Sequence, residues 1–121
     1  MTPRVCAPPA ARLHGRVVET CTLSAGLRDA MFTLLTSHFV GVDRRTFERD
    51  LDEKRCAILL EDDASRLHGF STMVVYESHA AGRSVWVVYS GDTIVDRAWW
   101  GTPALARSWV RAVRQLAPAN V

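Results

Sequence analysis

The residues of this 121-residue chain whose types and spacing could do chemistry run from Ser90 to Pro103: Ser90-Gly91-Asp92-Thr93-Ile94-Val95-Asp96-Arg97-Ala98-Trp99-Trp100-Gly101-Thr102-Pro103. An apolar run precedes this segment and a helical pattern follows Thr102-Pro103, so it forms a loop leading into a helix N-terminus. The first backbone N–H groups of a helix have no intrahelical acceptor, and the positive end of the helix dipole lies behind them. Such a terminus can hold a phosphate without any special side chain. Arg97 could add a cation there, and Gly101 could let backbone approach the ligand. The competing reading is an ordinary capped crossing from strand to helix. Asp92 interrupts the apolar run and could serve as a general base toward an amine if burial raised its pKa; otherwise it is a turn or bulge residue beside Gly91. Trp99 and Trp100 put two large rings on the same loop, where one plugs the core and the other covers a ligand or forms an exposed patch.

Other chemistries find little support. Cys6, Cys21 and Cys56 are odd in number, with no CxxC pair, which argues against a disulfide framework or a zinc site and for a reducing, cytoplasmic setting. His14, His38, His68 and His79 lack metal-ligand spacing, so no metal is expected. Cys56 sits in an apolar run without a diagnostic His or acid partner and reads as a structural thiol. The formal charge is +2, and the basic residues are scattered rather than blocked, so neither nucleic acid nor a membrane is an expected partner. Residues 1–14, rich in proline and small residues and without the apolar stretch of a signal peptide, are expected to form a flexible tail, with the domain spanning 15–121.

The elements that must position the loop follow from periodicity. Val17, Val18, Thr20 and Thr22 favour a strand over Arg16–Thr22, and Ser24 offers an N-cap. Leu27, Ala30, Met31, Leu34, Leu35 and His38 fall on one helix face, which Gly41 is expected to terminate. Phe47 and Leu51 give a second, shorter helix from Asp43 to Lys54 a narrow apolar edge. Cys56–Leu60 reads as a strand entering an acidic turn, and Arg66–Glu77 as its hairpin partner, with Gly69 at a bulge or a close backbone approach. After the turn at His79–Gly82, Ser84–Val95 is apolar on both sides and is expected to be a central strand, completing a three-stranded meander. The last helix opens at Thr102-Pro103, buries Leu105, Trp109, Ala112, Val113 and Leu116, and stops at Pro118. Arg107, Arg111 and Arg114 share another of its faces, either solvated or an anion-binding stripe. Leu27, Met31, Leu34, Leu35, Val87, Tyr89, Leu105 and Trp109 are expected to be largely buried.

A strand, two helices, a three-stranded meander and a helix entered through an arginine-containing loop, in that order from about Val17 to Leu116, resemble the GNAT superfamily of N-acetyltransferases. The resemblance implies an α/β (α+β) fold, a mostly antiparallel sheet flanked by helices, here lacking the C-terminal strands of the family. It implies acetyl-CoA or another acyl-CoA as substrate and direct acyl transfer to an amine-bearing acceptor. The family's pyrophosphate loop, Arg/Gln-x-x-Gly-x-Gly/Ala, maps onto Arg97, Gly101, Thr102 and Ala104, although Arg97 stands four residues before Gly101 instead of three. Tyr89 and Ser90 would lie beside the thioester. The expectation is a partial acyltransferase domain, inactive as an isolated chain, whose open sheet edge self-associates or takes a partner chain. The alternative is a non-catalytic interaction module that binds a partner by strand addition.

Overall fold

In the computed structural model, which describes residues 12–116, the elements follow in the order β1 (His14–Glu19), α1 (Ala25–His38), α2 (Arg44–Asp52), β2 (Cys56–Glu61), β3 (Leu67–Ala80), β4 (Arg83–Val95) and α3 (Ala104–Leu116). Short 3-10 turns lie at Thr20–Thr22 and Arg97–Trp99. The four strands form one antiparallel sheet in the order β1-β2-β3-β4.

Side chains on successive strand residues point to opposite faces, and β2 divides its apolar residues accordingly. Ala57 and Leu59 join Met31, Leu34, Leu35, Phe47, Leu51 and Phe70 in the core beneath α1 and α2. Cys56, Ile58 and Leu60 join Met73 and Ala112 beneath α3. Covered on both faces and paired on both edges, β2 buries Cys56 through Leu60 completely. Burial also pushes the Cys56 thiol pKa up, as suits a structural cysteine.

Ser84–Val95 is therefore not a central strand. Within the described sheet β4 is an edge, and Tyr89, expected in the core, is 52% exposed. An unbroken apolar run reports bulk on both faces but not the number of hydrogen-bonded neighbours. Of the other residues expected to be buried, Met31, Leu34 and Leu35 are, while Leu27, Val87, Leu105 and Trp109 are half-buried.

Several boundaries shift. The first strand starts at His14, and its expected end, Thr20–Thr22, winds into a 3-10 turn in which the buried Thr20 donates its hydroxyl proton to the Lys54 carbonyl at 2.6 Å. α1 is capped at its start by Ser24, whose hydroxyl accepts from the Leu27 N–H, but it ends before Gly41. Phe39 turns extended at φ −131° while its N–H still bonds the Leu35 carbonyl, and Gly41 serves the following turn at φ +73°. α2 is capped by Asp43 and buries Phe47 and Leu51 as the pattern requires. Arg28 pairs with Glu48 and Asp52, and Arg44 with Asp29 and Glu48, lacing α1 to α2. Burial raises the Glu48 pKa, but hydrogen bonds from Arg28 and Arg44 outweigh it and leave the carboxyl below its usual range.

The meander forms as expected, except that β3 continues through His79 and Ala80 and leaves the turn to Ala81 and Gly82. Gly69 does mark a close approach: a Cβ there would stand 2.8 Å from the Ile94 carbonyl oxygen. Gly15 lets α3 settle onto β1, since a Cβ would fall 1.7 Å from the Ser108 hydroxyl. α3 begins at Ala104, one residue later than expected, with the Arg107 N–H bonded to the Pro103 carbonyl. Pro118 and residues 1–11 of the expected tail lie outside the described residues.

The acidic turn between β2 and β3 is organised by Asp62. Its carboxylate accepts from the Ala64 and Arg66 N–H groups and pairs with His68 Nε2 at 2.8 Å. The His68 hydrogen bond first, then these backbone donors, hold the Asp62 pKa down at about 2. A carboxyl depressed in the fold stabilises it above the unfolded pKa, near 4, and the gain fades as pH falls toward the folded value. Asp62→Asn is therefore expected to be less stable than wild type above about pH 4, with the gap closing toward pH 2. Urea melts at a series of pH values read this directly, and a gap independent of pH would contradict the assignment.

Candidate functional site

β4 carries a bulge at the candidate site. Ser90 pairs with Met73 and Thr93 with Ser71, so Gly91 and Asp92 together face Thr72. Gly91 is required because a Cβ would meet Thr72 Oγ1 at 2.6 Å and Lys54 Cε at 2.5 Å. Asp92 lies exposed on the bulge, not in the buried setting expected of it as a general base. It borders a hollow of about 330 Å³ at the α1–α2 loop, whose lining also includes Asp43, Thr46, Phe47 and Asp50.

On the α3 side of β4, hydroxyls line up along the strand. Ser71 Oγ lies 2.7 Å from Thr93 Oγ1 and 3.4 Å from Ser90 Oγ, and Trp109 Nε1 donates to Ser90 Oγ at 2.9 Å. Between these groups and α3 runs a largely apolar groove of about 420 Å³, floored by Leu105, Ala106, Trp109 and Val110. Where β4 leaves the sheet, a second cleft of about 580 Å³ is walled by His38, Phe39, Val95, Trp99, Trp100, Gly101, Thr102 and Leu105.

The loop between β4 and α3 is pinned at several points. The Asp96 N–H donates to the His68 carbonyl at 2.7 Å, and the Asp96 carboxylate lies between His38 Nε2 at 3.5 Å and His68 Nδ1 at 3.6 Å. Trp99 is half-buried against the His68 ring, and Trp100 is 63% exposed, with its Nε1 bonded to the Val95 carbonyl. Arg97 stacks over the Trp100 ring at 5.3 Å. Gly101 adopts φ +94°, a conformation that L side chains rarely take, and so turns the chain into α3. The N–H groups of Ala104, Leu105 and Ala106 precede the first intrahelical bond, and no acidic residue occupies the first turn.

The fold thus gathers Gly101 and Thr102 with both tryptophans at one cleft and holds Ser90 against Trp109 in the adjoining groove. Arg97 does not line the cleft but lies over the Trp100 ring, Ala104 faces a different hollow beside β1, and Tyr89 pairs with Val74 on the exposed part of the strand. Sequence reasoning did not bring His38, Phe39 or Ser71 to the site. The polar pair Ser71-Thr72 between Phe70 and Met73 was the available signal for Ser71. Among the described residues no group of three or more His, Cys, Asp or Glu is arranged to hold a metal ion, and no helix is long and apolar enough to cross a membrane.

No known protein family profile matches the chain, and no curated protein sequence does. Solved structures do match its fold. One is a conserved protein of unknown function from Enterococcus faecalis, a probable N-acyltransferase, at 13% identity and TM-score 0.63, covering 86% of this chain and 27% of that one. Another is an acetyltransferase from Trypanosoma brucei, at 17% identity and TM-score 0.54, covering 86% of this chain and 76% of that one. The chain therefore has an acetyltransferase-like α+β fold, and it spans about a quarter of the length of the Enterococcus protein.

Proposed function

We propose that this chain is part of an acyl-CoA-dependent N-acyltransferase of the GNAT type. The observation that carries the reading is the bulged β4 beside the start of α3, with an apolar groove and a wider cleft opening between them. The residues suit such a substrate. The groove can take a narrow pantetheine-like arm, while the free N–H groups of Ala104 to Ala106 and the Arg97 guanidinium offer positive charge to a pyrophosphate. The three carboxylates of Asp43, Asp50 and Asp92 around the neighbouring hollow favour a cationic amine as acceptor. In the transfer the amine nitrogen attacks the thioester carbonyl, the C–S bond breaks, and the leaving thiolate takes up a proton. Asp92, on the rim of that hollow beside Asp43 and Asp50, would receive the amine's proton, directly or through water. The unpaired Cys21 and Cys56 fit a reducing compartment such as the cytoplasm.

Isothermal titration with CoA tests the reading. The chain is expected to bind weakly at low salt without amine-dependent CoA release, because β4, an edge within the described sheet, offers only one wall to the pantetheine arm. Arg97→Ala should weaken binding about fivefold, the ~1 kcal/mol of an exposed charge pair, and added salt should weaken it further. Equal binding by both proteins would remove Arg97 from the site. Absence of binding by wild type would remove the acyl-CoA reading itself.

A further inference from the structure

We propose that the cleft between β1 and α3 is a second anion site, one that takes a small phosphate-bearing molecule with two or more negative charges. The cleft measures about 560 Å³ and is lined by Arg12, His14, Gly15, Arg107, Ser108 and Arg111 together with parts of the β4–α3 loop. No carboxylate is among its lining residues. Among the described residues, Arg12, Arg107 and Arg111 form no ion pair. Arg111 donates one N–H to the Gly15 carbonyl at 3.2 Å, which fixes the guanidinium over β1 and leaves its other donors available. His14, the other basic group, pairs with Asp63.

Ser108 supplies an independent sign of a ligand. It is 2% exposed, lines this cleft, and its hydroxyl makes no hydrogen bond to a described residue. Buried hydroxyls normally find partners, and one that bonds no described residue, in a cleft lined by three arginines that pair with no described carboxylate, matches a missing acceptor. A molecule bearing several phosphate oxygens would satisfy the hydroxyl and the arginines together, since guanidinium forks suit phosphate geometry. The cleft shares Thr102 and Ala104 with the loop assigned to the acyl-CoA pyrophosphate, so the two sites adjoin and are told apart by Arg107, Ser108 and Arg111 on one side and Arg97 on the other. α3 presents Ala104, Arg107, Ser108 and Arg111 to this cleft, and Leu105, Ala106, Trp109 and Val110 to the groove along β4.

Titration with inorganic pyrophosphate, alongside the CoA titration, tests it. Wild type is expected to bind pyrophosphate at low salt. Arg107→Ala, which removes a side chain that bonds no described residue, should bind at least ~10-fold more weakly with an unchanged melting temperature. Ser108→Ala should also weaken binding, and Arg97→Ala should leave it unchanged. Three outcomes would overturn the proposal: no pyrophosphate binding by wild type at millimolar concentration, equal binding by Arg107→Ala, or a loss in Arg97→Ala as large as in Arg107→Ala. The last would put the anion at the β4–α3 loop. Loss of CoA binding in Arg97→Ala with pyrophosphate binding intact would separate the two sites, and failure of CoA binding alone would leave this one standing.

Discussion

Replacing Phe70 with Ala is expected to lower the unfolding free energy by about 3–5 kcal/mol, the range for deleting a large aromatic from a packed core. Phe70 has no exposed surface and lies between Leu59 of β2 and Ile94 of β4 in the sheet register. Its side chain belongs to the core that joins the sheet to Met31, Leu34 and Leu35 of α1 and Phe47 and Leu51 of α2. The cavity would open on the layer where both helices rest, and two helices with few buried residues of their own cannot collapse into it fully. A domain of this size has roughly 5–15 kcal/mol in total, so the variant would stand close to the unfolding threshold at room temperature. Urea denaturation with an unchanged m-value measures the loss. A decrease below ~1 kcal/mol would be out of scale for a core aromatic and would contradict the placement of Phe70.

Phe70 also shows where the sequence stops being legible. Its neighbours Gly69 and Ser71 are buried with it, so the apolar-polar alternation that identifies a half-buried strand is absent. Both faces of β3 are covered there, and the small or polar flanking residues hide the position from any period-2 reading. The helices are the opposite case. α1 and α2 each turn one face to the same sheet and the other to solvent, so Met31, Leu34, Leu35, Phe47 and Leu51 stand out at helical spacing. The misplacement of β4 has the same origin as the silence about Phe70. Hydrophobic pattern reports the covering of faces, whereas the edge position of β4 depends on which strands hydrogen-bond to it, a matter that side-chain types do not encode.

Within the candidate site, legibility followed distance along the chain. The turn at Gly101, the start of α3 near Thr102 and the bulge at Gly91-Asp92 are local features, and glycine and proline mark them. The wall made by His38 and Phe39 is not local. It comes from the end of α1 and reaches the loop because α1 crosses the sheet toward the end of β4, where His38 meets Asp96. The basic cleft combines both kinds of information. Arg107 and Arg111 recur at helical spacing and could be read as a stripe, but whether that stripe was solvated or faced a cavity depended on β1. Gly15 decides it, because only a residue without Cβ lets Ser108 come down onto the strand and brings Arg111 to the Gly15 carbonyl.

Leu34→Ala should cost roughly 2–5 kcal/mol, and its position in the fold gives it a second readout. Leu34 is 7% exposed, and it lies in the core cluster with Phe70 and Ile94, one turn before the end of α1. Its carbonyl accepts from the Ser37 hydroxyl at 2.7 Å and lies 3.1 Å from His38 Nδ1, so the last turn of the helix is organised around this residue. Truncation removes the apolar anchor that holds that turn to the sheet. His38 and Phe39 should then loosen, and with them the wall they form against Trp99 and Trp100. Val40, two residues beyond the helix and 99% exposed, supplies the control: Val40→Ala should stay within about 0.5 kcal/mol of wild type. Urea melts of the two variants measure the stability difference, and hydrogen exchange at the amides of Ser37, His38 and Phe39 measures the loosening. Equal denaturation midpoints for Leu34→Ala and Val40→Ala would contradict the packing of α1 on β3. A large loss of stability with unchanged exchange at those amides would show that the end of α1 is held by the His38–Asp96 pair and not by the Leu34 side chain.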